Sequence, residues 1–457
     1  TFANQSKYSQ HLVTVTCRPN QNLKMSSLPE PLSARDTESF AYHTIKDRLP
    51  VILSKIADTV YRLKNTIREQ HGEEGTKELK DIVGGISKLR NELQTDKPIL
   101  PLEDNRADVT TWNKYLEEQT SLIGYPPSWF KSAWLYVECY MYRRVQEAVE
   151  KCKILKSLDV FQEQKQKAFL NSQGAILILL NYSMKIVKDL ENEEELDVEK
   201  LFQQFTQVAL WGNKCDLSIS AGFENSQTAC PLDQVETLKD HILINDLKPL
   251  WTYLRASAPG RVDIILDNAG FELVTDLCLA EILLSTKLAS SIHFHVKALP
   301  WFVSDVTKED FDWTLQTLGQ SNSIAMNFFV QRWKGRLSNK SWNLQVHDYW
   351  TLPFDFSEMK MRCLDLHKEL SKSSLLFFKG DLNYRKLVGD RNWDTTTPFA
   401  ESLRGFHPAP LCTLRALKAD VQTGLAEGQA KAVREKDAEW MVNGNWAVIS
   451  FCDRTVQ

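Results

Sequence analysis

From Arg261 onward, strand-length apolar runs alternate with helical stretches: "RVDIILD", "ELVTDLCLAEILLS", "SIHFHVKAL", "KEDFDWTLQTLG", "NLQVHDYW", "KMRCLDLHKELSKS" and "SLLFFKGD". This alternation admits few folds. Strands separated by helix-length crossovers pair in parallel, and a parallel sheet needs cover on both faces. Runs that stay apolar throughout, such as "SLLFF", suit strands buried on both sides. The expected fold class is therefore α/β, with a Rossmann-like, mostly parallel sheet in the C-terminal half.

The N-terminal half has a different texture. From about Asp36 to Gln94 no strand signal interrupts a helical pattern, in which Pro50 suits a first turn and Ile52, Ile56 and Leu63 recur at roughly one-face spacing. A second helical block runs from Trp129 through Val149, with Trp129, Ala133, Val137 and Met141 at a spacing of four. The charged run from Lys188 to Lys200 reads as a solvated loop or an exposed helix start. The polar, turn-rich stretch Ala221 to Gln234 marks a boundary. The expected organisation is a flexible extension over 1–35, a helical domain over 36–225 packed on the sheet, and an α/β catalytic domain over 226–457. The chain begins without methionine and Met25 is the more natural start, so residues 1–24 are expected to be an upstream extension or tail.

Composition narrows the partners. A net charge of −4, with 55 basic and 59 acidic residues, gives no footprint for nucleic acid or a membrane surface. The longest aliphatic run, Ala175 to Leu180, falls far short of the roughly 20 residues that span a bilayer. Nine dispersed cysteines without a CxxC pair argue for reduced thiols and a cytoplasmic or nuclear setting, with the chain soluble.

In an open parallel sheet, ligands bind beyond the carboxyl ends of the strands. Three runs end there in an acid: "VDIIL" in Asp267, "SIHFHVKALPWFVS" in Asp305 and "SLLFFKG" in Asp381. Acids converging on one rim repel one another, and a bound cation is one remedy. Asn268 adds an amide oxygen beside Asp267, so Asp267, Asn268 and Asp305 form a candidate set of hard ligands for Mg²⁺ or Mn²⁺. The competing reading is that each acid merely caps the helix that follows it. Gly270 opens the next helix, whose amides favour an anion. Cations for a phosphate are available in Arg385, Lys386, Arg391, Arg415 and Lys418, while Glu138, Asn213 and Asp216 of the helical half are candidates to close over the site.

Other chemistries lack their residues. Ala269 stands where a haloacid-dehalogenase phosphatase needs a second aspartate. The turn "LDNAGFE" holds one glycine, not the glycine-rich dinucleotide or methyltransferase loop, and neither HExxH nor GxSxG is present. The dispersed histidines read as packed or surface residues.

The motifs "WLYVECYMYRR", "LWGNKCDLS", "LDNAGFELVTDL", "KALPWFVSDVT", "FKGDLNYRKLVGDRNW" and "FHPAPLCTLRALKAD", in that order, resemble the metal-dependent damage-control phosphatase family from about Asp36 to Gly424. The resemblance implies a divalent metal (Mn²⁺ or Ni²⁺, or else Mg²⁺ or Co²⁺) on Asp267, Asn268 and Asp305. It implies a substrate-binding stretch of Asp381, Leu382, Asn383, Tyr384 and Arg385, alongside Asp267 and Asn268, and phosphate on Lys418. Asp267 and Lys418 are the expected catalytic pair, with Asp267 either a ligand or the nucleophile. The implied substrates are small phosphorylated metabolites, foremost fructose 1-phosphate and fructose 6-phosphate. The alternative activity is methyl transfer from S-adenosyl-L-methionine to protein glutamates, with that cofactor near Glu272 and Asp305; a non-catalytic interaction protein is the third reading. The family's Arg-Thr-x-Lys here reads Arg415, Ala416, Leu417, Lys418, which removes a hydroxyl contact and keeps both cations.

Overall fold

A computed structural model of the chain describes residues 28–212, 235 and 237–453. The expected boundary near residue 225, Asn213 and Asp216, and the proposed extension over 1–24 lie outside the described residues. Within 28–35, Leu32 is buried and its backbone joins Asp390 and Trp134, at 2.8 Å in each case.

The seven strands are β1 (Ile242–Asn245), β2 (Gly260–Ile265), β3 (Ala289–Val296), β4 (Trp342–Val346), β5 (Leu375–Lys379), β6 (Leu411–Ala416) and β7 (Ala447–Cys452). They form one sheet in the order β1-β7-β6-β5-β2-β3-β4, parallel except where β7 meets β6. The α/β class with a mostly parallel sheet is thus present, with an antiparallel edge that strand alternation did not reveal.

Chain direction across the sheet positions the site. From β2 the chain steps to β3 and then β4 on one side, and returns to β5 and β6 on the other. The crevice between β2 and β5 is therefore the topological switch point, where loops diverge to opposite faces and leave room for a ligand. The Phe271–Ser285 helix follows β2 and the Gly380–Val388 helix follows β5, so both open at this crevice.

Both faces of the sheet are covered. One core joins Ile265, Leu376 and Phe378 to the helices Leu49–Arg62, Lys64–Gln94 and Trp134–Glu150. The other joins Val262, Ile264, Leu375 and Phe377 to Gln173–Glu191, Val198–Leu210 and Phe271–Ser285. Alternate residues of β5 enter opposite cores, which is why its first four positions, Leu375 to Phe378, are all apolar.

The Trp134–Glu150 helix begins five residues after the expected Trp129, because Ala133 is extended and bridges Ser33. It is buried on nearly every side rather than along one stripe. Its Arg143 is fully buried, donating Nε and Nη2 to Asp108 at 2.8 and 2.9 Å, and Nη1 and Nη2 to Asp104 at 2.8 and 2.9 Å. Four hydrogen bonds to two carboxylates satisfy a charge that could not otherwise leave water. Arg143→Met strands both acids, so a loss of about 3–5 kcal/mol is expected in urea unfolding at neutral pH, partly recovered in acid as the acids protonate.

Candidate active site

Asp267 ends the β2 run and Asp305 lies in the loop after β3; the backbone draws these two loops together. Asn268 and Asp305 form an antiparallel bridge, Ala269 N–H donates to Ser304 O at 2.7 Å, and Val306 N–H donates to Asp267 O at 2.8 Å. Asp381 opens the helix after β5. A cleft of about 120 Å³ is lined by Asp267, Asn268, Asp305, Asp381, Leu382, Arg385 and Lys418 from the sheet half. Arg48, Trp134 and Glu138 complete it from the helical half.

None of the three acids caps a helix. Gly270 occupies the cap position after Asp267, Thr307 makes a capping box with Asp310 after Asp305, and Lys379 precedes the helix containing Asp381. Asp381 instead accepts Arg415 Nε at 2.8 Å and the Lys418 backbone N–H at 3.0 Å.

Both Asp267 and Asp305 are buried. Burial, with Asp305 and Glu272 close by, pushes the Asp267 carboxyl well above the usual range, against the pull of Lys297 and Lys418. Burial likewise raises Asp305, although Lys297 Nζ stands 3.1 Å from its Oδ2. That oxygen accepts no well-aligned hydrogen bond. The Asn268 amide fills part of the gap, Nδ2 donating to Asp267 Oδ2 at 2.7 Å and Glu272 Oε2 at 2.9 Å while Oδ1 accepts Ser304 Oγ at 2.5 Å. Two buried carboxylates drawn together, one with an oxygen that no described donor satisfies, fit a hard divalent cation, while the Asn268 amide oxygen is held by Ser304.

The approach of β5 requires glycine. Gly380 has φ +81°, and a Cβ there would lie 1.9 Å from Asp267 Oδ2. Only a bare backbone lets the loop after β5 close on this carboxylate.

The remaining expected residues divide by what they touch. Lys418 is exposed at the cleft, and among the described residues its ammonium has no ion pair. Arg385 lines the cleft, but Nε and Nη2 hold Asp390 at 2.9 Å, Nη1 holds Glu138 at 2.7 Å, and the guanidinium lies over Trp134. Leu382 borders the cleft. Asn383 Nδ2 reaches back to the carbonyls of Lys379, Ile265 and Leu266, and Tyr384 bonds Thr423, so these two brace the fold. Lys386 is buried on the carbonyls of Trp350 and Leu352, Arg391 donates to Pro29 O, and Arg415 is spent on Asp381 and the carbonyls of Ala419 and Val421. Glu272, expected beside a methyl donor, is held by Asn268 and by Lys379 Nζ at 3.2 Å; Lys379 also pairs with Asp276 at 2.7 Å.

Sequence reasoning overlooked Arg48, Lys297 and Lys379. The two lysines could have been suspected as basic residues at the ends of β3 and β5, whereas Arg48 carries no local signal.

Among the described residues, one group of three His, Cys, Asp or Glu side chains closes to within 4.8 Å: His347, Cys363 and Asp365, none of which lines the cleft. It is a poor ligand set, because Tyr349 N–H donates to His347 Nδ1 at 3.1 Å and so leaves the proton of the neutral ring on Nε2, facing the other two.

Comparison with known proteins places the chain in a family. The Damage-control phosphatase ARMT1-like domain family matches residues 44–433. The chain belongs to this family. Curated relatives named Damage-control phosphatase ARMT1 are 49% identical over 433 residues in Danio rerio, covering 93% of this chain and 97% of that protein. In Homo sapiens the identity is 45% over 438 residues, covering 93% and 99%. A crystal structure of a DUF89 family protein from Pyrococcus horikoshii aligns with TM-score 0.40 at 14% identity, over 87% of this chain and 98% of that one. The family match spans every cleft residue, from Arg48 to Lys418.

Two outcomes test the geometry. A folded protein whose Asp267 pKa is raised keeps that proton where the unfolded chain has lost it, so stability falls as pH rises. Chelator-treated Asp267→Asn should therefore be more stable than chelator-treated wild type, with a gap that widens as pH rises above the ordinary carboxylate range, at up to ~1.4 kcal/mol per unit. Gly380→Ala should keep its circular dichroism spectrum but lose most of the thermal shift that Mn²⁺ gives wild type.

Proposed function

We propose that this chain is a divalent-metal-dependent phosphatase of small phosphorylated metabolites, with fructose 1-phosphate and fructose 6-phosphate as the leading substrates. One observation carries the reading: two buried carboxylates, Asp267 and Asp305, line a small cleft together with Lys418, whose ammonium has no acid partner among the described residues. Membership of a family whose curated members are named damage-control phosphatases gives it independent support.

Asp267, Asn268 and Asp305 are the residues that would hold Mn²⁺, Ni²⁺, Mg²⁺ or Co²⁺. When bound, such an ion supplies Lewis-acid polarisation of a phosphoryl oxygen. Lys297 fixes Asp305 from below, and Gly380 leaves Asp267 its place. Lys418 brings a mobile positive charge to the phosphoryl oxygens, steadied through its backbone by Asp381. Arg385 shapes the wall with Trp134, its charge largely neutralised by Asp390 and Glu138. Asp267 serves here as a ligand, because its raised affinity for a proton also raises its affinity for a cation.

Methyl transfer from S-adenosyl-L-methionine has weaker support, since Glu272 is already held by Asn268 and Lys379. The proposed setting is cytoplasmic or nuclear, with no nucleic-acid or membrane partner; among the described residues no helix is long and apolar enough to cross a membrane.

The test is phosphate release from fructose 1-phosphate and fructose 6-phosphate. Release is expected with Mn²⁺, should stop with chelator and resume on metal addition, and should fall to background in Asp267→Ala. Equal release by wild type and Asp267→Ala would refute the site.

A further inference from the structure

The charges around the cleft can be accounted for one by one. Asp267, Asp305, Asp381 and Glu138 line it, so a phosphate monoester arrives among like charges. Most nearby cations are already engaged: Lys297 with Asp305, Lys379 with Glu272 and Asp276, Arg385 with Asp390 and Glu138, and Arg415 with Asp381. Among the described residues that line the cleft, Lys418 and Arg48 are the cations without an acid partner. Lys418 belongs to the expected site; Arg48 is assigned nothing.

Its backbone is well fixed. Arg48 ends a π-helical turn, Thr44–Arg48, between the fully buried side chains of Ile45 and Leu49, so an exposed guanidinium is carried on an anchored base. Single π turns are uncommon and frequently occur at functional sites. The residue also borders a second cavity, of about 640 Å³, which adjoins the cleft and shares Glu138, Phe302 and Ser304 with it. Arg48 therefore stands at the border of the two cavities.

The wall between the two cavities is rigid. Phe302 and Val303 have φ of 42° and 72°, in the left-handed region that a β-branched residue avoids. Stacking of Phe302 on Tyr142, with ring centroids 4.5 Å apart, helps hold that backbone.

We infer that Arg48 binds the phosphoryl group of the substrate, supplied by the helical half across the sheet rim and opposed to Lys418. The inference rests on the phosphatase reading. A guanidinium presents paired donors to two phosphate oxygens, which the lysine cannot do. Lys418 would then supply a point charge and Arg48 the orientation.

Arg48→Met and Arg48→Lys test this in the full chain loaded with Mn²⁺. Steady-state phosphate release and calorimetric binding of inorganic phosphate are the two measurements. For Arg48→Met, KM and the phosphate Kd should rise roughly ten- to a hundredfold, the range expected when a hydrogen-bonded charge is removed. Arg48→Lys should recover part of the loss, and neither variant should change the melting temperature or the affinity for Mn²⁺. Wild type that releases and binds phosphate, with Arg48→Met indistinguishable from it, would overturn the inference alone. Wild type that neither releases nor binds phosphate would overturn the phosphatase reading along with it.

Discussion

The rim is organised around the repulsion between two buried carboxylates. Asp267 and Asp305 are drawn together by a backbone bridge that leaves them no freedom to separate. Each neighbour answers that strain: Lys297 sits against Asp305, the Asn268 amide donates toward Asp267, and Gly380 withholds a side chain that would push Asp267 aside. Holding two carboxylates this close away from water is costly, and a cation between them would relieve that cost.

Much of this was legible because parallel strands advertise their ends. The apolar runs before Asp267 and Asp381 stop abruptly, and a sheet with one direction puts such stops on one edge. β6 and β7 were harder to see. The run "LCTLRA" contains Thr413 and Arg415, which lower its apolar character, yet both are fully buried. At four residues β1 is too short for periodicity to register.

What the sequence withheld was the pairing of charge. Arg385 and Lys386 look equally available in "NYRKL", but one is held by Glu138, 247 residues away, and the other lies buried on backbone carbonyls. Whether a cation is free depends on partners that local pattern does not reveal. The same blindness hid Arg48, whose neighbours in "IKDRLP" suggest only a helix surface. Composition gives a net charge near neutrality, while the charge presented at the cleft is what remains after neighbours have cancelled the rest.

The two cores have a consequence for dissecting the molecule. Helices between Leu49 and Glu150 cover one face of the sheet, and helices between Gln173 and Leu210 cover the other. The N-terminal chain thus grips the sheet from both sides, as a clamp holds a plate. A fragment containing the strands alone would expose apolar surface on both faces and lose Trp134 and Glu138 from its cleft. Separating the strands from the N-terminal helices therefore costs the sheet both of its covers, whereas changes in the loops leave both jaws of the clamp in place.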